Sequence, residues 1–141
     1  MEQYSEIVRS FQISLKELFS ENGLDLLTLG HRIKSSEAIA RKMARYGVVN
    51  DIVGFRAIVR TEQDCYRASD IVAAAYQVIP GRIRDYIQVP KNKAGYRAIH
   101  IDLVFDEQVL ELQLRTPEMD DFAHELKKKF GDYYWYRPEF S

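Results

Sequence analysis

Apolar residues open the chain at helical spacing. Ile7, Val8, Phe11, Leu15, Leu18 and Phe19 fall on one stripe, which predicts a helix over residues 1–20 that ends at Asn22-Gly23. A short extended piece is expected over 26–34. Ser35 or Ser36 then stands where it can cap a helix that continues to Arg45 and stops at Gly47. Over 51–60 the period changes to two. Val53, Phe55, Ala57 and Val59 alternate with Gly54, Arg56, Ile58 and Arg60, the mark of a strand. Thr61 and Asp64 have capping-box spacing, with Asp in place of the preferred Glu or Gln, ahead of a helix that carries Cys65, Ala68, Val72, Ala75 and Tyr76 on one face. Pro80-Gly81 reads as a turn, and the basic stretch to about Gly95 reads as irregular. Two strands follow, over 96–105 and 109–115, joined by a tight turn at Asp106-Glu107. Ile99, Ile101, Leu103 and Phe105 share one face of the first, with His100 and Asp102 on the other. Leu110, Leu112 and Leu114 alternate with Glu111, Gln113 and Arg115 in the second. Thr116-Pro117 supplies the cap and first residue of a last helix, expected to bury Met119, Phe122, Ala123, Leu126 and Phe130. The tail over 131–141 holds Tyr133-Tyr134-Trp135-Tyr136, too aromatic for a free coil and expected to pack on the domain or on a partner. Helices mix with strands without regular βαβ alternation. The pattern predicts an α+β domain, a mixed sheet flanked by helices.

Composition narrows this picture. The chain has 141 residues, 46% of them hydrophobic, which suits one domain over 1–141 with a core that needs no disulfide. Its single cysteine, Cys65, sits among apolar positions and reads as a small buried hydrophobe. The start has no apolar run behind a basic cluster, and no stretch approaches the ~20 apolar residues of a membrane helix. A soluble, cytoplasmic protein with no membrane partner is expected. The formal net charge of −1 argues against a general nucleic-acid binder. The distribution is more telling. Arg32, Lys34, Arg41, Lys42 and Arg45 fall in one short window against Glu37. Arg82, Arg84, Lys91, Lys93 and Arg97 fall in another against Asp85. Such windows are either solvated faces or surfaces for a small, highly charged ligand such as a nucleotide polyphosphate.

The candidate chemistry is of three kinds. Asp51 stands at the mouth of a strand and Glu111 on the polar side of another. Two carboxylates that meet across a sheet can hold Mg²⁺, with water and phosphate completing the shell. The plainer alternative makes Asp51 a turn residue and Glu111-Gln113-Arg115 the wet face of an edge strand. Arg32, Lys34 and Lys42 are placed to contact a triphosphate, and Arg56 offers a guanidinium that can stack on a base. Gly95-Tyr96, after Pro90-Lys91, offers a tight turn beside a flat aromatic face, and His100 a contact for phosphate or ribose.

The order of these pieces is more specific than any one of them. Arg32-Ile-Lys34-Ser35 with Ile39-Ala-Arg-Lys42-Met43 resembles the ATP-binding signature of RelA/SpoT synthetases. Asp51-Ile-Val-Gly54-Phe-Arg56 resembles their metal-binding strand. Gly81-Arg82-Ile-Arg84-Asp85-Tyr86-Ile87, Pro90-Lys91, Gly95-Tyr96-Arg97 and His100 resemble their acceptor loop. Glu111-Leu-Gln113-Leu-Arg115-Thr116, followed by Met119, resembles the most recognisable string of the family. The resemblance runs from Arg32 to Ala123 and implies a nucleotidyltransferase-like synthetase fold. It implies Arg32 and Arg56 on the adenine of ATP, and Lys34 and Lys42 on its phosphates. Asp51 and Glu111 become the Mg²⁺ ligands and catalytic carboxylates. Tyr96 would stack on the acceptor guanine, Arg84, Lys91 and His100 would lie along its phosphates, and Gln113 and Arg115 would support the site. The implied substrates are ATP and GDP or GTP; the implied products are AMP and ppGpp or pppGpp.

Three departures from the family pattern bear on this reading. Ala38 stands where the family helix usually has a serine. Asn92-Lys93-Ala94 is one residue longer than the usual spacer before Gly-Tyr, in the part of the site that selects the acceptor. The chain also lacks a histidine-aspartate hydrolase domain and a long regulatory region, so synthesis without degradation is expected. Two alternatives stay open. One is a toxin or effector that modifies adenosine nucleotides or the 3′ end of tRNA; the other is a catalytically silent nucleotide-binding regulator. The first helix and the aromatic tail are the candidate surfaces for a homo-oligomer.

Overall fold

The structure, a computed structural model, describes residues 2–131 and 138–140. A short 3₁₀ turn, Glu2–Tyr4, leads into α1 (Ser5–Glu21). There follow β1 (Thr28–Ile33), α2 (Ser36–Tyr46), β2 (Val53–Ile58), α3 (Glu62–Ala75), β3 (Gln77–Asp85), β4 (Ile99–Phe105), β5 (Gln108–Arg115), α4 (Pro117–Phe130) and a second 3₁₀ turn, Pro138–Phe140. The strands form one sheet in the order β1-β2-β5-β4-β3. β2 and β5 pair in parallel, and the other neighbours pair antiparallel. This is the expected mixed sheet flanked by helices. The expected packing of Tyr133 to Tyr136 lies outside the described residues.

Local chemistry sets the boundaries. Ser35, Thr61 and Thr116 each accept a hydrogen bond from the amide three residues on, at 3.2, 3.1 and 3.2 Å, and so cap α2, α3 and α4. Gly47, at φ +74°, closes α2 in the left-handed conformation. Asp106 and Glu107 both take positive φ, 48° and 64°, as a two-residue hairpin turn that follows the strand twist requires.

The sheet has two unlike faces, and strand alternation decides which residue goes where. Val53, Phe55, Ala57, Ile99, Ile101, Leu103, Leu110, Leu112 and Leu114 build the main core with Val8, Phe11, Leu15 and Phe19 of α1 and Cys65, Ala68 and Val72 of α3. Phe11 is its aromatic centre, 4.6 Å from Phe55 and 5.2 Å from Phe105 between ring centroids. Cys65 is fully buried as expected. Burial, then the charges of Asp64 and Glu62, pushes its thiol up to about 12, which leaves it inert. A smaller cluster, Tyr96, Ala98, Ala123 and Leu126, ties α4 to the start of β4. The opposite face of the sheet carries Gly54, Arg56, His100, Asp102, Glu111, Gln113 and Arg115.

Three expectations need correction. Pro80-Gly81 does not end in a turn and a loop. It lies inside β3, where the register to β4 shifts between Val78 and Ile83. β3 is an edge strand, where a proline removes no needed ladder bond, and Gly81 takes φ +74° in the bulge. Phe122 is 44% exposed rather than buried; one edge of its ring faces Gly95. Ala75 also stays exposed at the end of α3.

Candidate active site

The plain alternative for Glu111 fails on topology. β5 is central in the sheet, so the side chains of Glu111, Gln113 and Arg115 are flanked by β2 on one side and β4 on the other. Glu111 and Arg115 are buried, with His100 and Asp102 beside them on β4. Polar residues sealed this way must find partners, and here they form one connected network. Asp120 on α4 accepts from Arg115 Nη1 at 3.0 Å. Arg115 Nη2 donates to Gln113 Oε1 at 2.8 Å, and Gln113 Nε2 donates to Glu111 Oε1 at 2.7 Å. A branch runs from Arg115 Nη2 to the Tyr96 hydroxyl at 2.8 Å, and that hydroxyl meets His100 Nε2 at 2.7 Å. The hydroxyl therefore joins Arg115, as its donor, to the His100 ring. Burial, then the charges of Lys91, Arg84, Arg115 and Lys42, holds the His100 pKa well below its ordinary value, so the ring is neutral.

Glu111 and Asp51 are pushed in opposite directions. Burial raises the Glu111 pKa, and the charge of Asp51 raises it further, against the pull of Gln113 and Arg84. Burial would raise Asp51 too. The hydrogen bond and charge of Lys42, then Lys34, outweigh it, and the Asp51 pKa falls below 3.8. Lys42 Nζ lies 2.8 Å from Asp51 Oδ1 and Lys34 Nζ 3.3 Å from Oδ2. The Lys34 amide donates to the Ile52 carbonyl at 2.8 Å, which prolongs the β1–β2 pairing and brings Lys34 alongside Asp51.

A cleft crosses this polar face in two lobes. The first lies between β1, β2 and α4 and is bordered by Gly30, His31, Arg56, His124 and Lys127. The second lies between α2, β3 and β4 and is bordered by Lys42, Arg84, Tyr86, Lys91, His100 and Asp102. The lobes share Arg32, Lys34, Asp51, Tyr96, Glu111, Gln113 and Arg115. All twelve residues singled out from the sequence therefore line one cleft, and the carboxylates stand where its lobes meet.

The first lobe has a cross-strand device that the sequence does not advertise. Arg32 pairs with Gly54 and Arg56 with Gly30 across the β1–β2 ladder. Each arginine thus faces a glycine, and the two arginines are diagonal neighbours on one face. Such diagonal positions are about 7–8 Å apart, enough for a flat ring to slide between two guanidinium planes. Asp120 also holds Arg56, Nε to Oδ1 at 3.3 Å.

In the second lobe Tyr96 is 2% exposed, with the Arg115 guanidinium 5.2 Å above its ring centre. Tyr86, which sequence reasoning left without a role, is half-buried in the same wall, with Lys91 Nζ 5.8 Å from its ring centre. Lys91 keeps exposed surface. Even so, the protein crowded around its ammonium lowers its pKa, with Glu111 opposing and Lys42 and Arg84 adding to the shift. The loop before Gly95 is closed by Lys91 N–H to Tyr96 O at 3.1 Å and Gly95 N–H to Asn92 O at 3.0 Å. The Lys93 amide donates to Phe140 O at 3.2 Å. Asp102 and Asp120 are the other residues missed. Each reads in sequence as one more solvated acid, and only the fold reveals that it holds two arginines.

The sequence region described as found in RelA/SpoT proteins matches residues 31–132. The chain belongs to the RelA/SpoT family. It is 37% identical over 128 residues to a GTP pyrophosphokinase of Brucella ovis, an alignment that takes in 87% of this chain and 17% of that protein. The chain thus spans about a sixth of the length of that relative. Its fold is similar to that of a GTP pyrophosphokinase family protein from Streptococcus pneumoniae, with TM-score 0.74 and 27% identity over 92% of this chain and 76% of the other. It is also similar to the small alarmone synthetase 2 from Bacillus subtilis, with TM-score 0.71 and 27% identity over 89% of this chain and 77% of the other. The matched region contains all twelve of the cleft residues singled out from the sequence. Among the described residues no helix is long and apolar enough to cross a membrane.

Proposed function

We propose that this RelA/SpoT-family chain transfers pyrophosphate from ATP to the 3′-hydroxyl of GDP or GTP, giving AMP and ppGpp or pppGpp. The observation that carries the reading is the two-lobed cleft with Asp51 and Glu111 at its junction. A transfer between two nucleotides needs two binding lobes that present their reacting ends to one set of charged groups. The names of the similar proteins, GTP pyrophosphokinase and small alarmone synthetase, support the same activity.

ATP takes the first lobe, its adenine between Arg32 and Arg56 and its phosphates toward Lys34 and Lys42. The guanosine nucleotide takes the second, its phosphates along Arg84, Lys91 and neutral His100. Its base stacks on Tyr96 if binding uncovers that ring, with Tyr86 the aromatic face already open beside it. The 3′-oxygen bonds to the β-phosphorus as the bond from that phosphorus to the α–β bridging oxygen breaks, and AMP leaves with that oxygen. Glu111, its pKa raised, is the group suited to take the hydroxyl proton. Gln113 and Arg115 hold Glu111 in place. Lys34 and Lys42 offset charge on the phosphate oxygens.

Mg²⁺ fits the residues present. Asp51 and Glu111 offer hard oxygen donors, and Asp51's charge already raises the pKa of Glu111, a repulsion that a cation between them relieves. Among the described residues no third His, Cys, Asp or Glu joins them, which leaves room for water and phosphate. When bound, the ion supplies charge neutralisation on the transferring phosphates.

The reading is tested by giving the protein Mg²⁺, ATP and, separately, GDP, GTP, ADP or deacylated tRNA, and separating the products. Modified GDP or GTP is expected. Modified ADP or tRNA would keep the chemistry and move the acceptor. ATP binding without transfer to any acceptor would refute the enzyme.

A further inference from the structure

One carboxylate in the second lobe has no part in the chemistry above. Asp102 on β4 is 1% exposed and lies directly opposite Glu111 in the β4–β5 register. Each of its oxygens takes one arginine of β3. Oδ2 accepts from Arg82 Nε at 2.7 Å, and Oδ1 accepts from Arg84 Nη2 at 2.9 Å. The same Nη2 stands 3.5 Å from Glu111 Oε2. One guanidinium nitrogen therefore lies between two buried carboxylates and is bonded to the nearer. The Nε of Arg84 is buried with no partner, so the group keeps donor capacity that nothing in the described protein uses.

A carboxylate sealed from water is costly unless charge and hydrogen bonds compensate it. Two guanidinium groups on one carboxylate do more than compensate. They leave a positive charge on the wall of the lobe, with its donors fixed in direction, which is how a planar fork recognises phosphate. Removing Asp102 would change the balance. The nearest remaining carboxylate to Arg84 is then Glu111. Shortening that 3.5 Å ion pair to hydrogen-bond distance gives a charge-assisted bond in a site of low dielectric. Such a pair would occupy the anion-binding arginine and a cation-binding carboxylate together.

We infer that Asp102 is a positioning residue: it holds Arg82 and Arg84 as a fixed anion-binding pair on the wall of the second lobe and keeps Arg84 from closing onto Glu111. The inference rests on the reading that this lobe receives the acceptor's phosphates. It deepens that reading by naming the residue that keeps the receptor and the carboxylate site apart.

The test is a double-mutant cycle read by binding rather than turnover. GDP and a non-hydrolysable ATP analogue are titrated by calorimetry into the native protein, Asp102→Asn, Arg84→Gln and the double variant. Asp102→Asn is expected to weaken GDP about tenfold, the loss of one charge-assisted bond, and to leave the ATP analogue, titrated without Mg²⁺, unchanged. In the Arg84→Gln background the same change should cost clearly less, since only the hold on Arg82 is then lost. GDP affinity unchanged in folded Asp102→Asn, equal loss for both ligands, or additive losses in the cycle would overturn the inference. Native protein that binds no GDP refutes the acceptor reading instead. Inorganic pyrophosphate is then the probe, and the same cycle decides the role of Asp102. If Asp102→Asn does not fold, the charge-balanced pair Asp102→Asn with Arg82→Gln, compared with Arg82→Gln alone, makes the same measurement.

Discussion

Glu111 and Asp51 are built as opposites, and the difference has measurable consequences. Glu111 has a raised pKa, so its folded form favours the proton. That contribution to stability is present below the unfolded value of 4.5 and is lost as pH rises through the higher folded value. Glu111→Gln keeps the Gln113 contact and removes the buried charge. Metal-free protein carrying it should therefore unfold about 0.5–2 kcal/mol later than native at neutral pH, with activity down about 100- to 1,000-fold or more. Chemical denaturation with a chelator present, set beside turnover, checks both halves; a destabilised variant would contradict the assigned strain. Asp51 runs the other way. Its depressed pKa gives stability present above 3.8 and lost as pH falls through the lower folded value. Lys42→Met should cost about 1 kcal/mol at neutral pH, between the limits for exposed and buried pairs, and the cost should vanish in acid. A penalty that persists at low pH would place the role of Lys42 outside the ion pair. Gly30 makes a separate point. A Cβ there meets only Arg56 Nη2 at 3.6 Å, an ordinary contact, so Gly30→Ala should fold and bind ATP almost normally. Gly30→Val fills the slot beside Arg56 and should weaken ATP about tenfold or more at unchanged thermal stability. Equal ATP affinity in all three proteins would remove the stacking slot.

At the scale of elements, alternation and capping were readable because they are local. The strands over 51–60, 96–105 and 109–115 and the caps Ser35, Thr61 and Thr116 all appear, within a residue or three at the ends. β3 was hidden because Pro80-Gly81 has the wording of a turn. Only its place at the edge of the sheet lets that pair sit inside a strand. Gly81 faces open space at φ +74°, so Gly81→Ala should cost about 1–2 kcal/mol from backbone strain alone, read by thermal unfolding. Phe122 misled for another reason. It has the spacing of a buried helix position, but α4 lies over the edge of the site and turns that position toward the loop at Gly95. The burial of Glu111 was illegible because strand order is not local. Nothing in the sequence makes β5 central, and centrality turns a solvated strand face into a sealed network.

Across the whole molecule one division of labour holds. The apolar face of the sheet is covered by α1 and α3 and supplies the core, while the opposite face is left to charge. Twelve residues that line the cleft were legible from the sequence as a set because the family's motifs keep their order. Which of them meet was not, because five strands and α4 bring them together. Gln113, Arg115 and Asp120 link the helix to Glu111, and Arg56 shares Asp120 with Arg115, so walls of both lobes rest on one carboxylate. The junction of the two lobes is expected to move a pyrophosphate and not a single phosphate. The direct measurement uses ATP labelled on its terminal phosphate with GDP and Mg²⁺, in native protein, Asp51→Asn and Glu111→Gln. Label on the 3′ position of the guanosine nucleotide, one AMP released per label transferred, and loss of both in the two variants is the predicted result. Release of ADP in place of AMP, or transfer that survives either substitution, would contradict the account.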